Sequence, residues 1–283
     1  MTAGREIRVA TPDDIRAIRG VLAAHGNDGP PLYADIVGPY VRHLVTRHRA
    51  MVTEQDGVVI AFGATVDVGI AVHLADLFVL PDRLGEGIGR PLLAALFDGA
   101  ARRTTFASND PRALPLYVRA GMSPSWACLY VGGAAASLPV APGSLETASA
   151  DPARLAALEQ AWTGADRSID HAFWASQAAA DAFVVAERGE VAAFAYGRAR
   201  QASPVRLIDR LLVRPGADPV APTVAALRRA ARGGSVQVFL QGPSPVLRTL
   251  LDAGFMVEER DQFMASESGL VDPARLVPNP GML

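Results

Sequence analysis

Short alternating runs of apolar and polar residues, cut by turn residues and separated by stretches with helical spacing, predict strands and helices in succession. Residues 7–22 begin as a strand, turn at Thr11-Pro12-Asp13-Asp14, and continue as a helix with Ile15, Ile18, Val21 and Leu22 on one face. The same signals return at 145–162: a strand-like LETAS, a turn at Ala150-Asp151-Pro152, and a helix carrying Leu155 and Leu158. Two hairpins match as well. VTEQDGVVIAF at 52–62 and VVAERGEVAAF at 184–194 each place a tight turn, at Gly57 or Gly189, between strand-like runs. LFVLP at 77–81 then matches LLVRP at 211–215, each before a loop and an apolar helix, and Ala120-Gly121-Met122 matches Ala253-Gly254-Phe255.

Ordered matches at a nearly constant offset predict two copies of one α/β unit. Between them Gly132–Ser144, small residues with two prolines and no charge, reads as a linker or edge strand and sets the boundary between 1–138 and 139–283. The last stretch, VDPARLVPNPGML at 271–283, lacks helical periodicity and is expected to lie extended against the body.

Length and composition narrow the possibilities. The 283 residues, half of them hydrophobic, suffice for two ordinary cores. A net charge of −2 provides no field to draw the chain to nucleic acid or an anionic membrane. All 27 basic residues are arginine, which removes lysine Schiff-base chemistry, the phosphate-loop lysine and any lysine nucleophile. The single cysteine, Cys128, excludes an internal disulfide and a cysteine-rich zinc site, and no metal is expected. The start has no apolar signal core, and no run approaches the roughly 20 apolar residues that cross a bilayer. A cytoplasmic protein without membrane or nucleic-acid partners is the expectation; its oligomeric state is left open.

The segment 74–100 joins a strand, LADLFVL, to a loop, PDRLGEGIG, and a helix, RPLLAALFDGA. A loop with glycines at 85, 87 and 89 ahead of a helix presents N–H groups and a positive helix end to a phosphate. Arg90 adds charge, and Pro91 suits a first helical turn. The dinucleotide pattern G-x-G-x-x-G fits neither register, because Arg90 and Leu92 stand where its third glycine belongs, and a triphosphate loop needs the missing lysine.

What remains resembles the pyrophosphate loop of the GCN5-related N-acetyltransferases, R/Q-x-x-G-x-G/A after a strand ending in V-x-P. Val79, Pro81, Gly87, Ile88 and Gly89 match; Leu84 replaces the first Arg or Gln, with Arg83 beside it. A second stretch, Asn109 through Tyr117 to Gly121-Met122, resembles the family's N-x-x-A-x-x-L-Y-x-x-x-G-F. The resemblance implies an α/β (α+β) fold of two tandem domains, each with a mixed, mostly antiparallel central sheet flanked by helices. It implies acetyl-coenzyme A as co-substrate, held by the main chain of Phe78 or Val79 and by Leu84, Gly85, Glu86, Gly87, Ile88, Gly89 and Arg90, with Asn109 on the pantetheine arm. Tyr117 would be the general acid near the sulfur, and Asp76 is the candidate base, ahead of His73 and Glu54.

The implied activity is acetyl transfer to a primary amine, of a small molecule, by direct attack on the thioester. The alternatives are a protein N-acetyltransferase and a regulatory acyl-coenzyme-A-binding protein without turnover. In the second half Pro219 and Pro222 replace the alternating glycines, Leu250 stands at the place of Tyr117, and Gly242 at that of Asn109, so that half reads as a degenerate copy. Arg42-His43 and Arg47-His48-Arg49 read as a solvated helix face, and Asp170-His171 with Phe173 and Trp174 as helix packing.

Overall fold

The computed structural model describes residues 4–25, 37–140, 142–200 and 203–283, so Ala141 of the linker lies outside the described residues. The chain runs β1 (Arg5–Val9), α1 (Ile15–Ala23), α2 (Val37–Arg47), β2 (Arg49–Gln55), β3 (Val58–Asp67), β4 (Val72–Val79), α3 (Gly89–Leu96), β5 (Arg103–Ala107), α4 (Ala113–Arg119) and β6 (Ser123–Ala134). It then takes the same order again: β7 (Leu145–Ser149), α5 (Pro152–Thr163), α6 (Ser168–Ala175), β8 (Asp181–Glu187), β9 (Glu190–Ala199), β10 (Arg206–Val213), α7 (Val220–Ala231), β11 (Ser235–Gln241), α8 (Val246–Asp252) and β12 (Met256–Ala265). A short β13 (Leu276–Val277) follows.

The hairpin turns form because both central residues accept positive φ: 53° and 79° at Asp56-Gly57, 50° and 85° at Arg188-Gly189. Asp151 caps α5 through the amide of Ala153, with Pro152 in the first turn. α3 is shorter than its apolar pattern predicts, stopping at Leu96 because Gly99, at φ 76°, turns the chain toward β5.

The strands form one 13-stranded sheet in the order β1-β2-β3-β4-β5-β12-β6-β11-β10-β9-β8-β7, with β13 on β10. Pairing is antiparallel except for β4 with β5 and β10 with β11. The expectation of one sheet per half is corrected in one respect: the final strands are exchanged. β6 pairs with β11 of the later half, β12 pairs with β5 of the earlier one, and β6 and β12 pair with each other at the centre. Pairing satisfies the backbone of both strands on both edges, which a strand left at the rim of its own half would not achieve.

Helices cover both faces. On one face α1, α2, α5 and α6 share a single core in which Ile18, Leu44, Phe62, Leu155, Trp174 and Phe194 pack together. On the other face α3 and α4 cover the first half, and α7 and α8 the second, as two separate cores. Each fully buried Leu, Phe or Ile in these layers contributes about 1.5–3 kcal/mol of apolar burial. Among the described residues no helix is long and apolar enough to cross a membrane. The tail, expected to be extended throughout, is extended only around β13 and turns at 273–275 and 280–282, where Arg275 and Met282 donate back to the carbonyls of Asp272 and Asn279.

Candidate active site

β4 lies beside β5 only as far as Leu74, which pairs with Thr105. Opposite β3 the register slips between Leu74 and Asp76, a bulge at Ala75, and beyond it Asp76–Val79 continue along β3 with no strand partner on the β5 side among the described residues. The two parallel strands therefore part, leaving a slot whose floor is the Leu74–Thr105 pair. Leu80 donates its N–H to the Ile60 carbonyl on β3 (2.9 Å), so the alternation of an extended chain turns the N–H of Val79 away from β3 and into the slot. The structure thus separates two residues that the sequence leaves equivalent: of Phe78 and Val79, it is Val79 that aims a donor into the opening.

The glycine loop caps this slot. Gly85 and Gly87 take φ 84° and 76°, and nothing lies within 4 Å of a Cβ built on either, so the loop keeps an open surface. Among the described residues no backbone carbonyl accepts from the amides of Gly87, Ile88, Gly89 or Arg90 at the start of α3. This donor set fits a diphosphate. Glu86, of the wrong charge for that task, is paired with Arg5, which also bonds its carbonyl, and with Arg83 at 3.6 Å. Arg83 thus neutralises Glu86 instead of standing in for the missing side chain at Leu84.

Two side chains approach the slot from opposite faces. Asp76 meets α2, where the Tyr40 hydroxyl bonds its carboxylate and also reaches the Gly281 carbonyl (3.3 Å); the Asp76 Oδ2 is buried without a partner. Burial raises the Asp76 pKa to about 6 against the opposing pull of that hydrogen bond. Tyr117, buried on α4, bonds Thr105 at the point where the strands part; burial and then the charge of Asp76 push its phenol well above the usual tyrosine range. Asp261, on β12 next to β5, is a second carboxylate lifted to about 6 by burial, with the Tyr130 hydroxyl on it at 3.0 Å.

The other predicted residues find different places. His73 is fully buried, bonded to Thr104 (3.0 Å), with its pKa lowered to about 3 by burial, which leaves it neutral. Glu54 is engaged with Arg8, whose guanidinium also grips Asp14, so its carboxylate is spent in a three-residue network. Asn109 is exposed at the end of β5 and its amide donates to the Arg260 carbonyl of β12 (3.2 Å). The basic runs divide: Arg42, Arg47 and Arg49 are exposed, but His43 and His48 turn inward to Asp170, which corrects the reading of a uniformly solvated face. Asp170, His171, Phe173 and Trp174 are buried packing of α6.

Sequence reasoning missed three neighbours of the slot. Tyr40 and the tail at Gly281 arrive from opposite ends of the chain. His25, just beyond α1, stacks edge-on against Phe78 and donates from Nε2 to the Val79 carbonyl (2.6 Å).

In the second half the matching opening is closed by the protein itself. β10 and β11 part after Ile208–Val238, behind a slip at Asp209, but β13 fills the gap: Leu211 and Leu212 pair with Val277 and Leu276, and the Val213 N–H donates to the Arg275 carbonyl (2.9 Å). Arg210 occupies the place Asp76 has in the first half, bound to Glu159.

Residues 46–121, from the end of α2 through α4, match the family model of the acetyltransferase (GNAT) domain. No curated protein matches the sequence. Solved structures share the fold at low identity. A proposed acetyltransferase from Pyrococcus horikoshii superposes with a TM-score of 0.69 at 14% identity, covering 99% of this chain and 94% of its own. A GCN5-related N-acetyltransferase from Anabaena variabilis gives 0.65 at 12% identity, covering 93% and 72%. A tandem GNAT protein from the clavulanic acid biosynthesis pathway gives 0.61 at 18% identity, covering 95% and 100%.

Proposed function

We propose that the protein is an N-acetyltransferase whose first half binds acetyl-coenzyme A in the slot between β4 and β5 and transfers its acetyl group to the primary amine of a small molecule. The observation that carries this reading is the parted strand pair, with an open amide loop at its mouth and a carboxylate and a phenol on its two faces. The amides from Gly87 to Arg90 bind the diphosphate, and the Val79 N–H meets the oxygen of the thioester as it gains charge. A carboxylate with a pKa near 6 is ionised at neutral pH and basic enough to take the ammonium proton of the acceptor; Asp76 has that role. With its pKa raised, Tyr117 serves the departing sulfur as a neutral hydrogen-bond donor first and a proton source second. His25 holds the Val79 carbonyl and fixes that end of β4.

The second half is a degenerate copy in this reading, its opening filled by β13 and its phosphate loop interrupted by prolines. The division at 138/139 marks the repeat, and a reducing cytosol suits the free, buried Cys128. Calorimetric titration with acetyl-coenzyme A, followed by measurement of thiol release over a panel of small amines and peptides, tests the proposal. Binding at one site with turnover on a small amine is expected. Tight binding without turnover on any acceptor would favour a regulatory binder, turnover on peptides alone would favour a protein substrate, and absence of binding would overturn the assignment.

A further inference from the structure

His43 on α2, His48 one residue past its end, and Asp170 on α6 form a cluster that the acetyl-transfer site does not use. Among the described residues it is the one group of its kind whose ligand atoms all lie within 4.8 Å of one another. Both imidazole Nε2 atoms approach the same carboxylate oxygen, Asp170 Oδ1, each at 2.9 Å, and they stand 3.1 Å from each other. As a set of hydrogen bonds this is crowded. If both rings donate, two protons converge on one oxygen within a narrow angle; if one ring does not, its lone pair faces those of the oxygen and a single N–H of the other ring is shared between them.

A cation removes the conflict. Three atoms separated in this way can all lie about 2.1 Å from one ion standing roughly 1 Å out of their plane, with ligand–metal–ligand angles near ~90°, the face of an octahedron. Two imidazoles and one carboxylate are a donor set for divalent first-row transition metals and not for calcium or magnesium, which take oxygen. The surroundings are built as metal ligands require. Arg167 Nε holds the other Asp170 oxygen at 2.9 Å, orienting the carboxylate, and Phe173 stacks on the His43 ring at 4.4 Å, 13° from parallel. Asp170 is 1% exposed at its side chain and the two histidines 6–7%, so the ligands are held in place before any ion arrives.

From this geometry we infer that His43, His48 and Asp170 bind one divalent transition-metal ion, which pins α2 of the first half to α6 of the second. An ion here departs from the expectation, drawn from cysteine content, that the protein carries no metal. Tyr40 lies one turn before His43 on α2, so the same ion steadies the hydroxyl that bonds Asp76.

The test uses full-length protein without a histidine tag, stripped with a chelator and titrated with Co²⁺ and Zn²⁺. One equivalent is expected to bind, with visible ligand-field bands from Co²⁺ and a rise in unfolding temperature with Zn²⁺. His48→Gln and Asp170→Asn, checked for folding by circular dichroism, each weaken binding by more than about 100-fold and lose the bands. Wild-type protein that shows neither bands nor a thermal shift would overturn the inference, as would bands that persist undiminished in both variants; the wild-type titration decides alone if a variant does not fold.

Discussion

Asp76 shows how one residue is tuned by where the chain places it. Free in the unfolded chain it loses its proton near the ordinary aspartate value of about 3.9; in the slot it keeps it to about 6. Between those values the folded state holds a proton that the unfolded state has released, so stability falls as pH rises through the window, by up to roughly 3 kcal/mol. The same shift suits it to the role of base proposed above. We expect kcat/KM to climb with pH around a midpoint near 6, and the climb to vanish in Asp76→Asn, with kcat at pH 8 reduced at least ~100-fold and the thermal midpoint raised. Asp261→Asn keeps the climb, which separates the two carboxylates. Tyr117→Phe lowers kcat by about 10- to 100-fold with little change in KM for acetyl-coenzyme A, read from initial rates of thiol release. Asp76 and Tyr117 were legible because each interrupts or occupies a local pattern, a polar residue in an apolar strand and a tyrosine at a motif position. His43 and His48 were not: their partner lies 127 and 122 residues away, and beside exposed arginines they look like more surface charge.

At the scale of elements, what was readable is what a few adjacent residues decide. The hairpin turns, the Asp151 cap and the glycine loop are fixed by residues that tolerate one backbone conformation or cap one helix, and all appear where their sequences place them. Gly87→Val tests the loop: at φ 76° a branched side chain is strained by about 1–2 kcal/mol, and the diphosphate cradle shifts. Its expected signature is KM for acetyl-coenzyme A raised at least tenfold with kcat nearly unchanged and folding retained by circular dichroism. What was unreadable depends on distant pairing. Tyr40 and Gly281 meet across 241 positions, and β13 finds β10 only because the opening beyond Ile208 offers unpaired backbone. A two-residue strand carries no periodicity by which it could be foreseen.

Across the whole molecule the shared face of the sheet is stitched by buried charge. Glu159 on α5 accepts from His171 at 2.8 Å and from Arg210, whose Nη1 also donates to the Leu283 carbonyl oxygen at 2.6 Å, as does Arg167 at 2.5 Å. Burial alone would raise the Glu159 pKa, but the Arg210 charge, the His171 hydrogen bond and the Arg167 charge overcome it and hold the carboxylate below its usual range. That contribution is complete above the unfolded pKa of about 4.3 and is lost as pH falls further. Removing the charge leaves Arg210 buried without its anion, so Glu159→Gln is expected to cost about 3–5 kcal/mol in denaturant titration at pH 7.

Exchange of β6 and β12 has a mechanical consequence. Each half donates its last strand to its neighbour and receives one in return, so the connecting peptide is not what keeps them together. A protease that cuts near Val140, 84% exposed, should yield two fragments on a denaturing gel that still elute as one particle under native conditions. Fragments that separated without denaturant would mean that the interlock is weaker than its strand pairing indicates.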